Sequence, residues 1–282
     1  MEYLFLLAVV VLVSLQDVLK KQYNSRSQSP CTFLFSFFTS VGAILLFIAA
    51  SGFRPDFRAD VLPYSVGFAA AFASAIAGSF FAIKHGSLSI TILVTSYSLI
   101  IPALYGVFAL GDTLGTLGII GLALLFISIF LINAKREKVS INTKWIISLL
   151  FAFVGNGMCS LIQKTQQLKF AGEYKSEFMI AALLISAVMF LILALVKRER
   201  IVRGDMKLMP LGVATGIANG ITNYLVMVLT GLIPSVILFP VISAGGIVIG
   251  FLVALFIYRE RLNKIQYIGY FIGIASIILL NL

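Results

Sequence analysis

Thr215, Asn219, Thr222 and Asn223 recur at spacings of four, three and four. That spacing lines them along one face of a helix, with Tyr224 beside it. Hydroxyls and amides placed there can bind a polar ligand without the cost of a buried charge. They can equally act as hydrogen-bonding glue between packed helices, with Gly212, Gly216 and Gly220 on a neighbouring face carrying the close approach. Asn156, Ser160 and Gln163 form a second polar face, with Lys164 one step beyond. Thr91, Thr95 and Ser98 form a third, with Tyr97 beside them and Pro102 one turn later. Hydroxyls of the third can instead back-bond to the preceding turn.

Asp17 lies inside a predicted apolar span, and Ser14 and Lys21 share its face. Ionisable side chains at membrane depth are functional candidates, so Asp17 is the candidate for coupling to a proton or another ion at a cavity mouth. The alternative is an interfacial acid neutralised by Lys20 and Lys21. Pro102, Pro240, Gly245 and Gly246 are hinge candidates, since Pro frees a backbone carbonyl and kinks a helix. Tight packing is the competing role for the two glycines. His85 is the single histidine and lies outside the predicted core, which sets aside a buried His relay. There is no His-Glu-x-x-His, no Cys pair at ligand spacing and no phosphate-cradling loop, so no metal, cofactor or enzymatic activity is expected. Cys31 and Cys159 read as small buried apolar residues.

The solvent for these residues follows from composition. The 282 residues are 60% hydrophobic and 11% charged, with a mean hydropathy of +1.07. A soluble domain carries about 25% charged residues, so the chain belongs to a bilayer. Apolar runs of the roughly 20 residues needed to cross hydrocarbon fall near 3–20, 32–51, 62–83, 89–110, 114–133, 144–164, 177–196, 208–232, 234–257 and 264–281. An all-α integral membrane protein of ten transmembrane helices is the expected fold. The first run lacks a basic flank and a small-x-small site, so cleavage as a signal peptide is not expected. With ten spans, 16 of the 21 Lys and Arg residues fall on the side opposite the termini. The positive-inside bias makes that side cytoplasmic and both termini external. The net charge of +10 is then topological, and nucleic acid is not an expected partner.

An internal repeat organises the spans. Residues 259–281 repeat 111–133 at an offset of 148: Asp112 falls on Glu260, Gly121 on Gly269, Ser128 on Ser276 and Asn133 on Asn281. Each copy is an acidic turn followed by an apolar segment. The two acids are expected to cap the helices that follow them, not to serve transport chemistry. A weaker trace sets Leu15–Gln22 on Met158–Thr165. The expected plan is a first five-helix repeat at 1–133, a linker at 134–143 and a second five-helix repeat at 144–282. Five is odd, so equivalent helices would run antiparallel, an arrangement of transporters.

On Gly111-Asp112-Thr113-Leu114, Arg259-Glu260-Arg261-Leu262, Gly121, Gly269 and the passage from Phe80 to Leu88 leading to Tyr97–Pro102, the chain resembles the drug/metabolite transporter superfamily, in its ten-helix EamA-type branch. Asp at 112 and Arg at 259 depart from the family's Gly-Glu-x-Leu pattern. The resemblance implies an inverted five-plus-five bundle around a central cavity. It also implies secondary transport of a small metabolite or drug by alternating access. Export of a small polar or amphipathic substrate across the cytoplasmic membrane is the expected function. The alternatives are a flippase for a lipid-linked sugar and a non-transporting scaffold subunit. The expected partners are the small-molecule substrate, the lipid bilayer and, as a candidate, a second copy in a homo-oligomer.

Overall fold

The computed structural model describes residues 2–85, 94–95, 97–113, 115–133, 143–202, 204–256 and 263–280. The acid at Glu260, Asn281 and most of the expected linker 134–143 lie outside the described residues. The named helices are α1 (Glu2–Arg26), α2 (Thr32–Ala50), α3 (Leu62–His85), α4 (Ile100–Leu110), α5 (Thr116–Asn133), α6 (Thr143–Lys169), α7 (Lys175–Val196), α8 (Met209–Leu229), α9 (Ser235–Phe256) and α10 (Lys264–Leu280). Short 3-10 turns at Ala59–Val61, Tyr97–Leu99 and Asp205–Leu208 join some of them, and no strand occurs among the described residues. The protein is all-α. Among the described residues six helices, α1, α2, α3, α6, α7 and α8, are long and apolar enough to cross a bilayer, as in a multi-pass membrane protein.

Helix ends overrun the apolar runs. α1 continues to Arg26 and α6 to Lys169, whereas the apolar segments stop near residues 20 and 164. Lys and Gln are good helix formers, and beyond residues 20 and 164 no Pro or Gly occurs before Pro30 or Gly172. A 27-residue α6 is about 40 Å long, beyond the roughly 30 Å of hydrocarbon.

The expected span 89–110 is described only at 94–95 and from residue 97 on, and there it is not one continuous α-helix. Tyr97–Leu99 form a 3-10 turn, and α4 begins only at Ile100. Pro102 is the third residue of α4, in the first turn, where its missing N–H removes no intrahelical bond. It therefore begins a helix and does not kink one. Pro240 does lie inside its helix, α9, which also carries half-buried Gly245 and Gly246.

The chain divides into two compact units, Met1–Ala73 with Ile162–Gly231, and Ser74–Leu161 with Leu232–Leu282. In the first, α2 packs against α7 and α8, and α1 against α8. Glycines make the α2–α8 approach close. A Cβ on Gly216 would run into the Thr39 carbonyl, and one on Gly212 would meet the Phe38 Cβ at 3.0 Å. In the second unit α5 packs against α10, and α9 against α4 and α10. Ser128, fully buried, donates to the Gly269 carbonyl at 2.7 Å across the α5–α10 seam.

Asp112 caps a different helix from the one expected. α4 ends at Gly111 in the left-handed region (φ 72°), and the Asp112 N–H donates back to the Gly106 carbonyl. The carboxylate then accepts from the backbone N–H of Ser235 at 2.7 Å and of Val236 at 3.4 Å. It serves the exposed N–H groups of α9. α5 starts at Thr116, too far along the chain for Asp112 to be its N-cap residue.

Candidate functional site

Polar side chains of the first unit form one hydrogen-bonded chain through three helices. Gln163 of α6 donates through Nε2 to Oδ1 of Asn223 on α8, at 2.6 Å. Asn223 donates through Nδ2 to the Asn219 side-chain oxygen at 2.9 Å and to the Asn219 carbonyl at 2.8 Å. Asn219 donates to Oε1 of Gln16 on α1 at 3.0 Å. Gln16 in turn donates to Thr222 Oγ1 at 3.0 Å, and Thr222 donates to the Ala218 carbonyl at 2.8 Å. Each amide donates a hydrogen bond to the next group, and each after Gln163 accepts one from the amide before it, an order in which hydrogen bonds polarise one another. Gln16 and Gln163 are buried, while Asn219 and Asn223 are only half-buried and offer the accessible part of the chain.

The other expected members of this unit lie outside that chain. Ser14 is buried and back-bonds to the Val10 carbonyl at 3.1 Å. Asp17 points outward, its side chain 73% exposed, with Lys20 Nζ 3.6 Å away. Thr215 back-bonds to Leu211, and Tyr224 turns toward α2, its ring 6.4 Å from that of Phe47. Lys164, read from the sequence as the end of a span, is 5% exposed within α6. Its ammonium donates to the Thr230 carbonyl at the C-cap of α8, where the negative end of the helix dipole favours a cation. Gln166 and Gln167 are also buried, and Gln167 Oε1 has no hydrogen-bond partner among the described residues.

In the second unit the break before α4 is tied to α6. Asn156 Nδ2 donates to Ser98 Oγ at 2.6 Å and, more weakly, to the Thr95 carbonyl at 3.4 Å. Ser98 back-bonds to that same carbonyl at 2.6 Å. Gly157 permits the approach: a Cβ there would lie 2.6 Å from the Ser98 carbonyl oxygen. Tyr97 is committed to α5, its hydroxyl donating to the Phe126 carbonyl at 2.7 Å and its ring 5.1 Å from that of Phe126. Ser160 is half-buried on α6. The expected ligand-binding residues that are described thus fall into a connected amide chain, a separate knot at Asn156, Ser98 and Thr95, and several that join neither; Thr91 lies outside the described residues.

Gln16 was missed. It sits in a run of apolar residues beside Asp17, and attention to the charge hides the uncharged amide. A neutral amide among Leu and Val is itself the available signal, because a lone amide in hydrocarbon must find a partner.

No family model matches the chain. It is 26% identical over 184 residues to an uncharacterized protein of Haemophilus influenzae, covering 64% of this chain and 62% of the relative. The chain therefore spans less than two thirds of the length of that curated relative. A solved structure described only as the crystal structure of a protein aligns with a TM-score of 0.78 and 17% identity, over 99% of this chain and 95% of the other. The protein shares its fold, along almost its whole length, with an experimentally determined structure.

Proposed function

We propose that the chain is a secondary transporter of the EamA-type branch of the drug/metabolite transporter superfamily. It moves a small polar or amphipathic metabolite or drug out across the cytoplasmic membrane by alternating access. The observation that carries this reading is the amide chain Gln163–Asn223–Asn219–Gln16 inside helices apolar enough to span a bilayer. Polar groups at such depth are costly and need partners, and Asn219 and Asn223 keep accessible surface with which to meet a ligand. Amides and hydroxyls suit a substrate bound through hydroxyl, amide or amine groups.

Helix pairing supports an inverted repeat as part of the same proposal. α2 with α7, α4 with α9, and α5 with α10 are packed pairs, and each is five apart in the order of the named helices. On this proposal both termini face outward, following the Lys and Arg distribution.

The test is flux in proteoliposomes. A thermal-shift screen against amino acids, nucleosides, sugars and cationic drugs first identifies a ligand, since ligand binding raises apparent stability. Asn219→Ala and Asn223→Ala are then expected to lower uptake of that ligand about tenfold or more, with Gly115→Ala as an unaffected control. Undiminished flux in both variants would sink the site. Absence of any flux, with strict co-purification of another protein, would favour a scaffold subunit.

A further inference from the structure

One end of the first unit carries a cavity of about 300 Å³, at the low end of the range for small-molecule sites. Phe57, Val61, Leu62 and Ala181 give it apolar walls, and Arg58 and Glu177 place opposite charges on its lining. α3 and α7 both begin here. They run in the same direction and meet through side chains: Ser65 donates to the Phe178 carbonyl at 3.0 Å, and Phe68 and Phe72 set their rings edge-on to Phe178 and Phe190. Outside that seam the apolar wall continues away from the cavity. Leu62 and Val66 on α3, and Leu184 and Val188 on α7, are each about half exposed and follow helical spacing from the lining residues.

The surroundings fix the depth of this cavity in a membrane. Arg58 stacks over Tyr174 at 5.4 Å, and Lys169 over Tyr64 at 5.4 Å and Phe170 at 5.8 Å. A girdle of aromatic rings and cations at helix ends belongs at the lipid headgroup level. The adjoining loops and first turns hold four basic residues, Arg54, Arg58, Lys169 and Lys175, and four acidic ones, Asp56, Asp60, Glu173 and Glu177. That balance gives no net field to gather an anion.

We propose that this cavity and the α3–α7 groove bind one phospholipid that carries both a phosphodiester and a primary ammonium, a phosphatidylethanolamine. Arg58 receives the phosphate. Its guanidinium has five N–H donors, of which Tyr174 and Asp60 each engage one (3.2 and 3.1 Å). Glu177 receives the ammonium. Its carboxylate accepts only a long bond from the Asp56 N–H, 3.4 Å, and has no cation within 4 Å among the described residues. The acyl chains lie along Leu62, Val66, Leu184 and Val188. Glu177 also sits in the first turn of α7, where a carboxylate suits the helix dipole whatever binds nearby. Its stabilising effect alone is therefore no test.

The test uses the full-length protein and native mass spectrometry, with equal amounts of phosphatidylethanolamine, phosphatidylcholine and phosphatidylglycerol added to the detergent-purified chain. One ethanolamine lipid is expected to be retained about tenfold over the choline lipid, the effect of one charge-assisted hydrogen bond that a quaternary ammonium cannot form. Glu177→Gln is expected to bring the ethanolamine and choline lipids within twofold of each other. Arg58→Gln is expected to lower retention of all three. Equal retention of the three lipids by the wild-type protein would overturn the proposal, and so would preference for the glycerol lipid. A preference that survives Glu177→Gln would overturn it too. Glycerophosphoethanolamine, which has no chains, is expected to leave the thermal midpoint unchanged. A rise with it would replace the lipid by a soluble zwitterion. None of these outcomes depends on whether the chain transports anything.

Discussion

Asn223 accepts a hydrogen bond from Gln163 at 2.6 Å and donates one to Asn219 at 2.9 Å. It is the only residue of the amide chain that joins α6 to α8, so the order of donors from α6 to α1 runs through its carboxamide. Neither end is charged. The chain stops at the Thr222 hydroxyl, which donates to a backbone carbonyl of its own helix.

Gln163→Leu removes the first donor and leaves Asn223 Oδ1 without it. The expected cost is about 1–2 kcal/mol, at the upper end for side-chain hydrogen bonds in membrane proteins. Unfolding in mixed micelles measures it. Because the bonds act in series, Gln163→Leu and Asn219→Ala are expected to be non-additive in a double-mutant cycle. Strict additivity would mean that the four amides are independent contacts.

Asp17→Asn addresses coupling. The side chain is 73% exposed beside Lys20 and takes no part in the hydrogen bonds of the amide chain. Such a surface pair contributes little. Proton-gradient-driven flux is expected to stay within about twofold of wild type, a change under 0.5 kcal/mol. Collapse of gradient-driven flux, with passive exchange intact, would return Asp17 to the coupling role.

Much of the architecture was legible because hydrophobic runs and a 3.6-residue period are local properties. The polar stripe on α8 was visible for the same reason: Thr215, Asn219, Thr222 and Asn223 are set by spacing alone. What the stripe touches is not local. Gln16 lies over two hundred positions from Asn219, and nothing in either segment points to the other. The burial of Lys164 and Gln167 was hidden because an apolar-run criterion ends a span where charge begins, while the helix continues as long as nothing breaks it. The turn at Tyr97–Leu99 escaped notice because Pro102 reads equally as a kink inside a helix and as the first turn of a new one. Asp112 was understood chemically but assigned to the wrong N-terminus, since sequence neighbours are the only ones a sequence displays.

Asp112→Ala removes the acceptor from the N-terminus of α9, with an expected loss of about 1–2 kcal/mol. Asp112→Asn keeps an acceptor oxygen and is expected to recover about half of it. Thermal unfolding of the two variants side by side decides the point. Equal losses would mean that charge alone matters there, and no loss in either would remove the cap.

Cys31 lies at the start of α2, with its Sγ near the Ser29 and Arg200 carbonyls at 3.3 and 3.5 Å. Burial pushes its thiol pKa up, and the carboxylates of Glu199 and Asp205 push it further. A raised pKa keeps the thiol protonated as pH rises through the ordinary thiol range, and the thiolate is the nucleophile. Maleimide labelling of Cys31 in a Cys159→Ala background is therefore expected to be slow at pH 8 in the folded protein and fast after denaturation. Rapid labelling of the folded chain at pH 8 would contradict the burial.

Gly216 offers the sharpest test of how α2 and α8 pack. A methyl there would overlap the Thr39 carbonyl, which is backbone and cannot rotate away, and it would come within 3.0 Å of the Ala43 nitrogen as well. The two helices would have to separate, weakening the neighbouring contacts at Gly212 and Gly42, where a Cβ also meets the facing helix. Gly216→Ala is therefore expected to cost about 2–3 kcal/mol, the upper range for overpacking. Helix propensity by itself would favour Ala by about 1 kcal/mol, so the sign of the change is diagnostic. Gly115→Ala is the matched control, because nothing lies within 4 Å of a Cβ there. Its midpoint is expected to stay within a degree or two of wild type. If Gly216→Ala instead stabilised the protein in a thermal melt, α2 and α8 would not touch where these glycines place them. The α8 stripe would then lose the close packing that leaves Asn219 and Asn223 free to face α1 and α6.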